Sequence, residues 1–209
     1  MTPTRSLFLE TLRLVDGIAD NPDLHRERMR RALASINAPD VTPDLSLQNL
    51  PVPPAFRHGC VKCRIVYGPD GLCPPTFEHY TPRVLSRIAL VDGNGLDYGH
   101  KYADRSGLAR LLALRGDCDD ILIVQDGHIT DLSFANVVFR DRQGGLVTPS
   151  RPLLPGTRRR ALLSAGVIAE RPVRVEDLGD FVGFYPINAM MDLGDAPLIP
   201  CKALVRTGL

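Results

Sequence analysis

The stretch "ILIVQDGHITDLSFANVVFRDRQGGLVTPS", Ile121 to Ser150, decides how this chain folds. It reads as two successive hairpins. In the first, an apolar run meets Asp126-Gly127, a dipeptide suited to a tight turn, and a return strand follows from His128. The second repeats the pattern, with Gly144-Gly145 at its turn. Immediately downstream, "LLPGTRRRALLSAG" (Leu153 to Gly166) starts a helix just after Pro155-Gly156. Hairpins and helices without regular strand–helix alternation point to an α+β fold.

Upstream, "SLFLETLRLVDG" (Ser6 to Gly17) is a strand ending in another Asp-Gly turn signal. Asn21-Pro22 is a helix start, and Leu24, Met29, Leu33 and Ile36 give the following segment one apolar face. Residues 37–56 carry five prolines and read as a loop with room for a short helix. Strands are expected over Cys60–Tyr67 and within "RVLSRIALVDG" (Arg83 to Gly93). The polar stretch "DGNGLDYG", Asp92 to Gly99, is the best linker, which divides the chain into lobes 1–95 and 96–209. "YADRSGLARLLALRG" (Tyr102 to Gly116) is helical and ends at a glycine cap. The tail mixes a strand, a short helix and "FYPINAMMDLG" (Phe184 to Gly194).

Composition sets broad limits. The chain has 209 residues, 44% hydrophobic and 23% charged, as a globular domain requires. A formal charge of +1 gives no field suited to nucleic acid. Apolar runs are too short for a membrane span, and Arg5, Glu10 and Arg13 interrupt any signal-peptide core, so a cytoplasmic location is expected. The five cysteines, an odd number, suggest free thiols. Cys60 and Cys63 form a CxxC with His58 and Cys73 nearby. On a strand, however, residues three apart point to opposite faces, so structural cysteines are favoured over a metal site.

Lys62, Lys101 and Lys202 are the only lysines among twenty-five Lys plus Arg. Lys101 stands just before a helix; Asp131 follows the first hairpin turn. "PGTRR" (Pro155 to Arg159) sets Gly156 and Thr157 at a helix N-terminus, where backbone N–H groups and the dipole attract phosphate. Arg28, in "HRERM", is a possible second phosphate ligand. An amine for a Schiff base, a carboxylate for a ring nitrogen and a phosphate cradle are what pyridoxal phosphate needs. Each feature alone also has an ordinary reading: a solvated lysine, a turn aspartate, a helix start. His25 and Arg28 could equally face solvent or pair with Glu27.

Taken in order, these motifs resemble the fold type IV pyridoxal-phosphate enzymes, the group of class IV aminotransferases and 4-amino-4-deoxychorismate lyases. "FLETLRLVDG" followed by "LHRERM" is similar to that family's opening strand and His-x-x-Arg helix, "HKYADR" to its lysine segment, and "ITDLSFANVVF" to the segment carrying its acidic residue. "LLPGTRR" and "INAMM" (Ile187 to Met191) resemble its two phosphate loops. The resemblance implies two lobes, a small N-terminal one and a larger β-rich one that binds the cofactor. It implies an internal aldimine at Lys101, with Arg105 four residues on. It places Asp131 on the pyridine nitrogen, with Asn136 supporting loop geometry, and Arg28, Gly156, Thr157, Arg158, Asn188 and Ala189 around the phosphate. A homodimer acting on a small amino compound is expected.

Some positions depart from the family's pattern. Asp131 stands where glutamate is usual, one methylene shorter. Arg158 occupies a place often held by Thr or Ser, and so contacts phosphate or swings away. The chain also starts just before the opening strand, without the leader of longer relatives. The Asn-Ala pair in "INAMM" and the compact length favour an aminodeoxychorismate-lyase-like reaction over a branched-chain or D-amino-acid aminotransferase. A non-catalytic cofactor-binding relative is the alternative of a different class.

Overall fold

Alternation along "FLETLRLV" forms the first strand, because every second residue faces a helix. In the computed structural model, which describes residues 7–38 and 50–206, this is β1 (Phe8–Val15). Asp16 and Gly17, with φ 48° and 81°, turn the chain into β2 (Ile18–Ala19), and glycine meets the second positive φ without strain. Helix α1 (Pro22–Ala34) begins at the expected Asn21-Pro22. Strands β3 (Cys60–Gly68), β4 (Gly71–Leu72) and β5 (Thr76–His79) complete an antiparallel sheet, in which β1 and β4 both border β3 and β5 pairs with it. Helix α1 covers this sheet with Met29, Ala32 and Leu33, packed on Phe8, Leu12, Val61 and Ile65. Of the proline-rich stretch 37–56, positions 39–49 lie outside the described residues; Pro54–Phe56 is a single 3₁₀ turn.

The remaining strands form two further sheets. β6 (Ile88–Asp92) runs parallel to β7 (Asp120–Gln125), which pairs antiparallel with β8 (His128–Leu132). Helix α2 (Ser106–Leu112) starts later than "YADRSG" suggests, since residues 100–104 serve another purpose. β9 (Asn136–Asp141) lies between β10 (Leu146–Pro149) and β12 (Phe181–Ile187). β10 leads through helix α3 (Thr157–Ser164) to β11 (Ala169–Arg171), its parallel neighbour. β13 (Ile199–Pro200) edges β12, and β14 (Leu204–Arg206) edges β6. Both hairpins of the 121–150 stretch form, with Asp126 and Gly127 at φ 50° and 75°. Leu90, Leu122 and Ile129 from one sheet share a core with Phe139, Phe181 and Phe184 from the other.

The chain divides into two compact units, and not at the expected linker. The first holds residues 1–81 and 100–104, the second 82–99 and 105–209. Two sets of bonds move the boundary from 95/96. Residues 92–99 are fastened to the β7–β8 hairpin: Gly93 N donates to Val124 O at 2.8 Å, and Gln125 Nε2 donates to Gly93 O and Leu96 O. Residues 100–104 pair with β1 instead, where Leu9 N donates to Lys101 O at 2.8 Å and Ala103 N to Leu7 O at 2.9 Å.

Candidate active site

In the second unit the candidate residues are built around one buried carboxyl. Asp131 sits near the end of β8, and Asn136, after a three-residue link, opens β9. Asn136 Nδ2 donates to Asp131 Oδ1 at 2.7 Å and to Leu154 O at 2.9 Å, while Leu154 N donates to Asp131 Oδ2 at 2.8 Å. The carboxyl is thus held by the strand pair on one side and by the loop before α3 on the other. Burial pushes it up to about 7, although Asn136, Leu154 and the Arg159 charge pull the other way. Asn136 therefore supports loop geometry.

The same asparagine explains Gly156. A Cβ at that position would stand 2.0 Å from Asn136 Oδ1, so only glycine fits. Gly156 O then accepts from Arg160 N at 3.0 Å and opens α3, whose first-turn N–H groups point out of the helix end. Thr157 is buried there. Such a terminus is suited to an anion. Arg158 swings to a carboxylate, with Nη1 donating to Asp192 Oδ2 at 3.0 Å.

Register brings in the last loop, since Ile187 of β12 pairs with Asn136 of β9. Asn188 and Met191 exchange backbone bonds at 3.1 Å, and Asn188 Oδ1 accepts from Met190 N at 2.8 Å, with Ala189 inside this tight turn. Asn188 Nδ2 donates to Phe134 O, in the link between β8 and β9, and Arg105 Nη2 donates to the neighbouring Ser133 O. Asp131, Asn136, Gly156, Thr157, Arg158, Asn188 and Ala189 all gather in this unit.

Lys101 and Arg28 belong to the first unit. Lys101 is half-buried, with its backbone pinned to β1, and Tyr102 bridges to Phe8. Phe8 also meets the rings of His100 and Tyr102 at 5.8 and 5.6 Å, which fixes both neighbours of the lysine. Arg28 is paired with a residue that the sequence motifs did not single out. Its Nε donates to Glu10 Oε1 at 2.7 Å and its Nη2 to Glu10 Oε2 at 2.6 Å; His25 Nδ1 reaches Oε2 at 2.6 Å. Glu10 is wholly buried. Burial opposes its charge, but Arg28 and the hydrogen bonds outweigh that and hold the carboxyl at about 2. Burial, with the charges of Arg28 and Lys101, lowers the His25 pKa despite its bond to Glu10, and in this contact the ring N–H donates to the carboxylate. One signal in the sequence could have found Glu10. It is the acidic member of an alternating face otherwise made of Phe8, Leu12 and Leu14.

Comparison with known proteins follows the same outline. The family model for amino-transferase class IV matches residues 72–198. An uncharacterized protein from Haemophilus influenzae is 36% identical over 189 residues, 89% of this chain and 98% of its own length. The crystal structure of a candidate 4-amino-4-deoxychorismate lyase from Haemophilus somnus is 30% identical, with TM-score 0.75, covering 89% of this chain and 97% of that one. An aminotransferase-like protein from Mycobacterium tuberculosis, solved in a pyridoxal-phosphate-bound form, shares the fold at TM-score 0.71 and 21% identity, covering 88% of this chain and 78% of that one. The mixed α/β fold, dominated by its sheets, matches that of the fold type IV pyridoxal-phosphate enzymes. Within that class, the chain belongs to the class IV aminotransferase family.

Proposed function

We propose that this chain is a pyridoxal 5′-phosphate enzyme that works as an aminodeoxychorismate-lyase-like catalyst. The observation that carries the cofactor reading is the buried Asp131 carboxyl, clamped by Asn136 and Leu154 N beside a helix terminus that only glycine can open. That donor set fits the group: a carboxyl for a ring nitrogen and backbone N–H groups for a phosphate. When bound, the cofactor supplies the electron sink for bond cleavage at the substrate Cα.

The chain's residues do the rest. Lys101 would hold the cofactor through its amine, and that amine would move protons at the substrate Cα; arginine stays protonated and could do neither. Asp131, held by Asn136 and Leu154 N, would present the carboxylate whose charge keeps the ring nitrogen protonated. Gly156, Thr157, Arg28 and the turn at Asn188 and Ala189 hold the phosphate. Arg158, directed at Asp192, steadies the loop. Lyase over aminotransferase rests on the Asn-Ala turn and on the 30% identical lyase candidate of nearly equal length.

Purified protein is expected to be yellow, and borohydride should fix the cofactor to the peptide bearing Lys101. A colourless protein that takes up no added cofactor refutes the cofactor reading. Pyruvate release from aminodeoxychorismate is the expected activity. Amino transfer from L- or D-amino acids to 2-oxoglutarate without that release would make the chain an aminotransferase; neither activity in a yellow protein would make it a non-catalytic relative.

A further inference from the structure

β1 presents one charged side chain to an otherwise apolar face. Glu10 lies between Phe8 and Leu12 in the alternation, and all three are 0% exposed. Its partners on α1 are His25, 1% exposed, and Arg28, 7% exposed. As a stability device this cluster is poor, since apolar residues of similar volume usually match or exceed a buried ion pair. What it supplies is geometry. Two parallel bonds along the Nε and Nη2 edge fix the plane of the Arg28 guanidinium. The third bond, from His25 Nδ1, fixes the carboxylate in turn.

The neighbouring residue does the same for the lysine. Leu9 N donates to Lys101 O, and the Phe8–Tyr102 bridge lies beside it. Consecutive residues of β1 therefore hold the two candidate cofactor residues of this unit, Leu9 through the backbone of Lys101 and Glu10 through the side chain of Arg28. We propose that Glu10 is a positioning residue that presents Arg28 to the cofactor phosphate, with β1 setting that guanidinium and Lys101 in register. This rests on the reading of Arg28 as a phosphate ligand. A guanidinium already held in one plane loses less rotamer freedom on binding, so phosphate affinity depends on Glu10 even though its charge offsets that of Arg28.

The test compares apo wild type, E10Q, E10D and R28A in titrations with pyridoxal 5′-phosphate and with pyridoxal, which lacks the phosphate. The readout is the preference for the phosphorylated form, with the melting temperature of each apo protein recorded alongside. E10Q should lower that preference about tenfold, the scale of one hydrogen bond to a charged group, and leave pyridoxal affinity unchanged. E10D, which keeps the charge but withdraws it by a methylene, should fall between wild type and E10Q. If R28A leaves the preference unchanged, the phosphate reading of Arg28 itself fails. If R28A lowers it while E10Q leaves it unchanged or raises it, the positioning role is overturned. Equal losses for both ligands in E10Q would show a purely structural role and would likewise overturn it. Should E10Q fail to fold, E10D decides: a preference equal to wild type refutes the proposal.

Discussion

A methyl group at position 156 would stand 2.0 Å from Asn136 Oδ1. The amide cannot retreat cheaply, because its nitrogen is committed to both Asp131 and Leu154 O. G156A should therefore destabilise the protein by about 1–3 kcal/mol, the usual cost of overpacking. Urea unfolding measures this, and a cofactor titration should show weaker binding, because the asparagine and the helix terminus are displaced together. Unchanged values for both would mean that the loop adapts and that the close approach is incidental. Glycine here answers a steric demand, not a positive φ: its φ of −71° is open to any residue.

Among the elements, β9 carries the most. It runs between β10 and β12, sends Phe139 into the core, and starts with Asn136 of the site. Phe139 is 0% exposed, and its ring centroid lies 4.8 Å from that of Phe181 and 5.5 Å from that of Phe184. F139A should cost about 3–5 kcal/mol, read as a lower urea midpoint. A cost far below that range would mean that the two remaining rings close the gap. The two hairpins of the 121–150 stretch were legible in the sequence because their turns need positive φ, which Asp126-Gly127 supplies in the first and Gly144 in the second. The helix starts at Pro22 and Thr157 were legible for the same kind of local reason. The boundary between the units was not. Residues 92–99 have the composition of a linker, yet Gln125, far along the chain, ties them down. Nor did Arg28 announce its partner, since β1 places Glu10 opposite it only after the sheet and α1 have packed.

For the whole molecule, the buried carboxyls act on stability in opposite directions. Asp131 has a folded pKa of about 7 against an ordinary 3.8, so the folded chain holds that proton more tightly than the unfolded one. Its contribution is complete below pH 3.8 and is lost as pH rises through about 7. Glu10, at about 2 against 4.5, contributes above 4.5 and loses that contribution as pH falls through about 2. D131N removes the first of these effects. Apo D131N should lose less stability than wild type between about pH 4 and about pH 8, in urea titrations at each pH. Parallel curves for the two proteins would mean that Asp131 titrates normally.

The five-residue return of the chain to its first unit also constrains how such a protein can be recombined. In the gene, the codons for His100 to Asp104 lie inside the stretch encoding the second unit. A single crossover at 81/82 between two relatives therefore inherits Lys101 from one parent and the strand that holds it from the other. Such a crossover requires Leu7, Phe8 and Leu9 of one parent to accept Lys101, Tyr102 and Ala103 of the other. Residues 7–9 and 101–103 must therefore diverge together although they lie far apart in the chain.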